Sequence, residues 1–180
     1  RSDSIEILLL VGEEYYLDEN YPKALNIFFT SLKLSESLNN STRAADAAND
    51  IGRIYYEIEN YSEALKYYNR ALDYFIIDKN EQKQGGVYNN IALIYYETDS
   101  LDQAVKYYND ALKIYEKYGN ELELATIYHN LGLVYMNNNE YKKAVENLES
   151  SREIFVQLDY PKYAANTTNN IGRALYRGGE

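Results

Sequence analysis

The 180-residue sequence has no cysteine, two prolines and one histidine. Without cysteine there is no disulfide framework, no thiolate zinc site and no cysteine nucleophile. A lone His129 cannot form a paired-histidine metal site or a histidine relay. Two glycine doublets, Gly85-Gly86 and Gly178-Gly179, lack both the spacing and the preceding strand of a phosphate-cradling loop. The carboxylate groupings, such as Glu13, Glu14 and Glu19, read as solvated helix faces. No catalytic residue, metal or cofactor is therefore assigned, and the chain reads as a non-enzyme. Long apolar runs are also missing: the longest, Ile7 to Val11, is far short of the roughly 18 residues a membrane span needs. Basic residues are scarce, 18 against 28 acidic ones, for a net charge of −10 and a pI near 4.7. That balance argues against a nucleic-acid partner, which would need a basic stripe. The expectation is a soluble chain, cytoplasmic or periplasmic, with no membrane contact of its own. It begins at Arg1 in mid-pattern, which reads as a mature product or an excised fragment.

What the chain does have is a 40-residue period. The blocks Ile51-Gly52-Arg53-Ile54-Tyr55-Tyr56, Ile91-Ala92-Leu93-Ile94-Tyr95-Tyr96, Leu131-Gly132-Leu133-Val134-Tyr135 and Ile171-Gly172-Arg173-Ala174-Leu175-Tyr176 fall in one register. Val11-Gly12-Glu13-Glu14-Tyr15-Tyr16 precedes them by one period. A period of this size marks a stacked repeat architecture. Each unit splits into two stretches of helical periodicity, as in Thr42–Ile58 and Tyr61–Ile77, separated by a polar break such as Glu59-Asn60. Pro22 and Pro161 both fall where a helix begins, which proline tolerates. The pattern predicts nine helices: four pairs and a ninth from Pro161 to Arg177. The whole chain, 1–180, reads as a single array with units near 1–40, 41–80, 81–120 and 121–160. Residues 161–180 form either a capping helix or a truncated fifth unit.

Small residues recur with the period. Gly12, Gly52, Ala92, Gly132 and Gly172 lie mid-way along each first helix, and Ala24, Ala64, Ala104 and Ala144 near the start of each second one. A glycine inside a helix costs about 1 kcal/mol relative to alanine, so its recurrence implies a close helix approach that outweighs the loss. Ser31, Ala71, Ala111 and Ser151 form a third small site, expected to face the next unit. Phe28, Tyr68, Tyr108 and Leu148, with Tyr15, Tyr55, Tyr95 and Tyr135, are the expected large partners. These positions take six of the 22 tyrosines as packing residues.

The order Ile51-Gly52, Tyr55, Ala64, Tyr68, Ala71, repeated as Ile91-Ala92, Tyr95, Ala104, Tyr108, Ala111, resembles the tetratricopeptide-repeat (TPR) pattern over the whole chain. Ala92 in place of glycine and Leu148 in place of an aromatic are its mild departures. The resemblance implies an all-α fold, a right-handed TPR superhelix (an α-α solenoid) of four helix pairs plus one C-terminal helix. It also implies that the outward faces of the first helices line a concave groove that binds protein or peptide.

Three rows of that face are candidate peptide-binding positions. Asp50, Asn90, Asn130 and Asn170 form the first, flanked by Asn49, Asn89, His129 and Asn169 and edged by Tyr56, Tyr96, Met136 and Tyr176. An asparagine amide both donates and accepts, so such a row can satisfy the main chain of an extended peptide. The same asparagines can instead serve helix-to-helix hydrogen bonds. The third row is Arg53, Leu93, Leu133 and Arg173, which suits a ligand with an apolar centre. Glu13, Asp46, Asp50, Glu57 and Glu97 make the N-terminal half acidic and suited to a basic residue. The lysines of a carboxylate clamp for acidic tails are absent: Leu9, Glu13, Gly86 and Asn90 hold those places.

Three functional readings compete. The first is a protein-interaction module that captures an extended peptide or partner segment. The second is the sensory or regulatory TPR region of a larger bacterial signalling protein, a sensor histidine kinase or transcription regulator. The third is a scaffold that self-associates as a homo-oligomer through an exposed end.

Overall fold

The computed structural model describes residues 2–179, and every element in that range is an α-helix. The nine helices are α1 (Ser2–Leu17), α2 (Tyr21–Ser37), α3 (Ser41–Glu57), α4 (Tyr61–Ile77), α5 (Glu81–Glu97), α6 (Leu101–Tyr118), α7 (Glu121–Asn137), α8 (Tyr141–Gln157) and α9 (Pro161–Gly178). The expected four pairs and ninth helix are all present. The chain forms two compact units, residues 1–90 and 91–180, with the boundary inside α5.

The turns explain the sharp helix ends. A residue with positive φ closes helix after helix, at Glu19, Asn39, Glu59, Lys79, Asp99, Gly119, Asn139, Asp159 and Gly179. This left-handed residue stops the helix, and from Glu19 to Asp159 the residue after it immediately precedes the next one. Asn20, Asn40 and Asn60 then accept a hydrogen bond from the backbone N–H three residues on, at 3.4, 3.1 and 3.4 Å. Each satisfies an N–H that the first turn would otherwise leave unpaired.

Within each pair the mid-helix glycine is a notch for one large side chain. A Cβ on Gly12 would lie 2.5 Å from Phe28 Cε1, and one on Gly52 would lie 2.6 Å from Tyr68 Cδ1. At Gly132 the intruder is Leu148, with Cγ at 2.5 Å. Phe28, Tyr68 and Leu148 are correspondingly buried, as are Ala24, Ala64 and Ala144. The outer aromatic rings stack in register: Tyr55 on Tyr67 with centroids 5.7 Å apart, and Tyr95 on Tyr107 at 5.4 Å.

Two expectations change, and a further small-residue position appears. Ser151 does not face the next unit; its hydroxyl donates to the Ala125 carbonyl at 2.7 Å, on the first helix of its own pair. Met136 is not a groove edge but a buried residue, clustered with Leu148, Ile171 and Ala174 beneath α9. Gly85 is the further position. It is the fifth residue of α5, buried, and in the register of the fully buried Ala45 and Ala125, a small-residue position that the period had not singled out.

Candidate interaction face

The first-helix face of residues 1–90 is held by ion pairs and amide bonds. Arg53 is its hub. The guanidinium reaches Glu13 through Nη1 and Nη2 at 3.2 Å each and Asp50 at 3.0 Å, and its centre lies 4.2 Å from the Tyr16 ring centroid. Tyr16 in turn donates its hydroxyl to Glu57 at 3.1 Å. Burial alone would lower the Arg53 pKa, but the hydrogen bond to Glu13 and the Asp50 charge outweigh it and hold the guanidinium above its ordinary value. Asp50 goes the other way. Burial pushes its carboxyl from 3.8 up to about 7, over the opposing pull of Arg53. The two groups thus respond differently to the same poor solvation: it dominates at Asp50, while at Arg53 the bonded partners outweigh it.

Further along, Arg43 bridges Glu6 at 3.1 Å and Asp46 at 3.5 Å, and Lys83 reaches Asp46 at 2.5 Å. Between α1 and α3, Glu6, Glu13, Arg43 and Asp46 line a notch of about 300 Å³ together with Leu9, Leu10, Asn49 and Asp50. Leu10 and Leu17 stand 64 % and 70 % exposed on α1. Asn90 donates to Asn49 at 3.3 Å, and Asn89 to Asn90 at 3.5 Å.

The face of residues 91–180 repeats the scheme with different chemistry. His129 Nδ1 lies 3.0 Å from Thr167 Oγ1, and Asn170 Nδ2 lies 3.5 Å from His129 Nε2. The Thr167 hydroxyl already donates to the Tyr163 carbonyl at 2.9 Å. It can therefore only accept from the imidazole, which puts the hydrogen on Nδ1 and leaves Nε2 to accept from Asn170. Burial lowers the His129 pKa, in keeping with this neutral ring. Asn170 also accepts from Arg173 at 3.3 Å, and Asn137 donates to the Tyr96 hydroxyl at 3.1 Å. Leu93, Asn130 and Leu133 are half-buried on this face, Asn169 and Arg173 are exposed, and Asn170 is buried.

The twelve candidate positions thus fall into two groups, one per unit. Asn49, Asp50, Arg53, Asn89 and Asn90 belong to the first; Leu93, His129, Asn130, Leu133, Asn169, Asn170 and Arg173 to the second. Four of the bonds connect a residue to the position one period and one residue on, Tyr16 to Glu57, Asn49 to Asn90, Tyr96 to Asn137 and His129 to Asn170, while Glu13 and Arg53 lie one period apart. Tyr16, Glu57 and Thr167 are participants that the rows alone do not reveal. Among the described residues, no group of three or more His, Cys, Asp or Glu side chains is placed to hold a metal ion. None of the described helices is long and apolar enough to cross a membrane.

Antiparallel helix pairs at a fixed period, each with a large side chain seated on a first-helix glycine, define a helical-repeat protein. The tetratricopeptide-repeat family profile matches residues 3–76, 84–155 and 123–180, and a second profile of the same description matches 49–118. The chain belongs to the tetratricopeptide-repeat family. No curated protein matches it by sequence. Among solved structures, BtubC from P. vanneervenii is similar at a TM-score of 0.89 and 20% identity, over 97% of this chain and 73% of that one. A signal-transduction ATPase with a tetratricopeptide-repeat sensor, from Pyrococcus horikoshii, gives 0.86 and 23%, over 96% of this chain and 27% of that one. The Rap conjugation gene regulator of plasmid pLS20, solved with the Phr* peptide, gives 0.74 and 25%, over 96% of this chain and 48% of its own. The chain spans about half or less of the latter two proteins.

Proposed function

We propose that this protein-interaction module captures an extended segment of a partner protein on its first-helix faces. In this reading the notch between α1 and α3 takes a basic side chain. The observation that carries it is the composition of that notch. Four carboxylates, Glu6, Glu13, Asp46 and Asp50, line it beside Leu9, Leu10 and Arg43, and they outnumber the three cations, Arg43, Arg53 and Lys83, that bond them. A lysine or arginine entering there would lay its aliphatic stem on the leucines and its charge among the carboxylates. The asparagines of both units still have hydrogen-bonding capacity for a peptide main chain, because an amide offers two donors and two acceptor lone pairs.

A peptide array scored with the 180-residue chain tests this. Peptides with a Lys or Arg beside apolar residues should be enriched, and Asp46→Asn should weaken them about tenfold, the loss expected for one buried charged partner. Asn90→Ala and Asn130→Ala should weaken binding across sequences. Unchanged binding in all three variants would refute the proposal. A sensory role within a longer signalling chain is the second reading, supported by the likeness to an ATPase with a TPR sensor.

A further inference from the structure

The two units build the same bond with different acceptors. In residues 1–90, Asn90 Nδ2 donates to Asn49 Oδ1 at 3.3 Å, and an amide oxygen takes no proton near neutral pH. Two periods on, His129 stands in the register of Asn49 and Asn170 in that of Asn90, and the acceptor becomes the imidazole Nε2, 3.5 Å from Asn170 Nδ2. An imidazole nitrogen is an acceptor that does titrate in the physiological range. The ring is held in place on its other side. Its Nδ1–H is committed to Thr167 Oγ1 at 3.0 Å, Thr167 is fully buried, and the Thr167 hydroxyl is committed to the Tyr163 carbonyl. Asn170, itself buried, continues the chain of bonds, its Oδ1 accepting from Arg173 at 3.3 Å. The helices packed against α7 are α6, α8 and α9. Among their charged groups Asp110 pairs with Lys113, Glu116 accepts from Tyr128, and Glu140 pairs with Lys143, so Arg173 is the charge that the bonds join to the ring. Burial is the one cause of the lowered His129 pKa.

We propose that His129 and Asn170 form a proton-operated switch, in which protonation of the imidazole turns the Asn170 amide over and releases Arg173. A protonated Nε2–H is a donor, and it would face the Asn170 NH2, another donor. Turning the amide over presents Oδ1 to the imidazolium and restores the bond, now a charge-assisted one. The same turn brings the NH2 to the place where Oδ1 accepted from Arg173, so that bond breaks and the guanidinium is freed. The first-helix face of residues 91–180 then carries an imidazolium and an unengaged guanidinium in place of a neutral amide chain. It holds a segment bearing Asp or Glu more tightly in acid than at neutral pH. That consequence rests on the segment-capture reading, whereas the switch itself does not. Residues 1–90 lack the device, because the equivalent bond between Asn90 and Asn49 has no titrating acceptor.

Heteronuclear NMR of the 180-residue chain without ligand, taken from pH 8 to pH 5, reads each step separately. At pH 8 the His129 ring should show a protonated Nδ1 and a bare Nε2. As the ring titrates, with a midpoint below 6.5, the Asn170 side-chain NH2 and the Arg173 Nε–H should shift with the same midpoint. In His129→Asn, which places the residue of positions 49 and 89 there, neither should titrate. Asn170→Asp offers the imidazolium a carboxylate that has no need to turn over, and it should raise the His129 midpoint by about one pH unit or more. A bare Nδ1 at pH 8 overturns the proposal. So does an Asn170 amide that ignores the His129 titration, or an Arg173 shift that persists in His129→Asn. A ring that stays neutral down to pH 5 overturns it as well. With no ligand present, these outcomes stand apart from those of the peptide array: segment capture can fail with the switch intact, and the switch can fail with capture intact.

Discussion

Ser31 and Ser151 occupy the same register position, where the other two units have Ala71 and Ala111, and all four are fully buried. Ser151 donates to the Ala125 carbonyl. The Ser31 hydroxyl is fully buried and has no hydrogen-bond partner among the described residues. Replacing each by alanine, the residue that the fold accepts at 71 and 111, should therefore have opposite effects. Ser31→Ala removes an unsatisfied buried hydroxyl, a burden of about 1–3 kcal/mol, and gains about 0.5 kcal/mol of helix propensity. It should stabilise residues 1–90 by about 1–2 kcal/mol, allowing for partial relaxation of the hydroxyl in the parent chain. Ser151→Ala loses a hydrogen bond worth about 1 kcal/mol and recovers about half of that as propensity, for a net loss of about 0.5 kcal/mol. Repeat arrays need not unfold in one step, so the assay is native-state hydrogen exchange read separately on α1–α2 and on α7–α8. Slower exchange in the first variant and faster exchange in the second are expected. If Ser31→Ala is neutral or destabilising, the hydroxyl has a partner in solution and the reasoning fails.

Gly52→Ala should destabilise by about 1 kcal/mol in urea unfolding, the displacement of Tyr68 outweighing the propensity gain; the effect stays small because Ala92 opposite Tyr108 shows the pair can be built with a methyl. His129 is neutral and its folded pKa is depressed by burial, so the folded state takes up its proton less readily than the unfolded chain. Stability of residues 91–180 should then fall as pH drops below about 6.5, and His129→Asn, matching Asn49 and Asn89, should flatten that slope in thermal melts across pH. Asp50 has the opposite sign. With its pKa raised from 3.8 to about 7, the folded state retains a proton that the unfolded chain releases, so stability falls as pH rises through that window and levels off above it. Asp50→Asn, the residue at 90, 130 and 170, should be relatively more stable at pH 8 than at pH 5, and an unchanged pH profile would contradict the carboxyl's raised pKa.

The fold was legible because its constraint acts on the backbone. A glycine opposite a buried ring leaves no room for a Cβ, so Gly12, Gly52 and Gly132 had to recur with the helix pairs and announced them. The left-handed turn residues were less visible. Glu19, Lys79 and Asp159 carry no glycine signature, and only the polar breaks around them marked the turns. The face was legible as three rows but not as a set of bonds. Several partners are offset by one residue beyond the period, as in Asn49 with Asn90 and His129 with Asn170, and spacing along a single helix does not encode that offset. Gly172 shows the reverse case: the local code reads as a first helix, while a Cβ there would meet nothing within 4 Å among the described residues.

The stagger also constrains what a ligand can do at the face. Asn90 and Asn170 already spend part of their amide capacity on the neighbouring helix, and Arg53 is already engaged by Glu13, Asp50 and the Tyr16 ring. A ligand that displaced these bonds would exchange one hydrogen bond for another and gain little. Net affinity must come instead from groups with capacity left and apolar area still exposed: Leu10 and Leu17 on α1, Asn169 and Arg173 on α9, and the acidic notch, where a cation would lower the Asp50 pKa and release its proton. Binding of a lysine-containing peptide to the notch should therefore strengthen between pH 6 and 8 and release protons, measurable as a buffer-dependent heat in calorimetry. Asp50→Asn should abolish both effects while leaving the amide contacts in place. A binding heat that is independent of buffer would place the cation elsewhere.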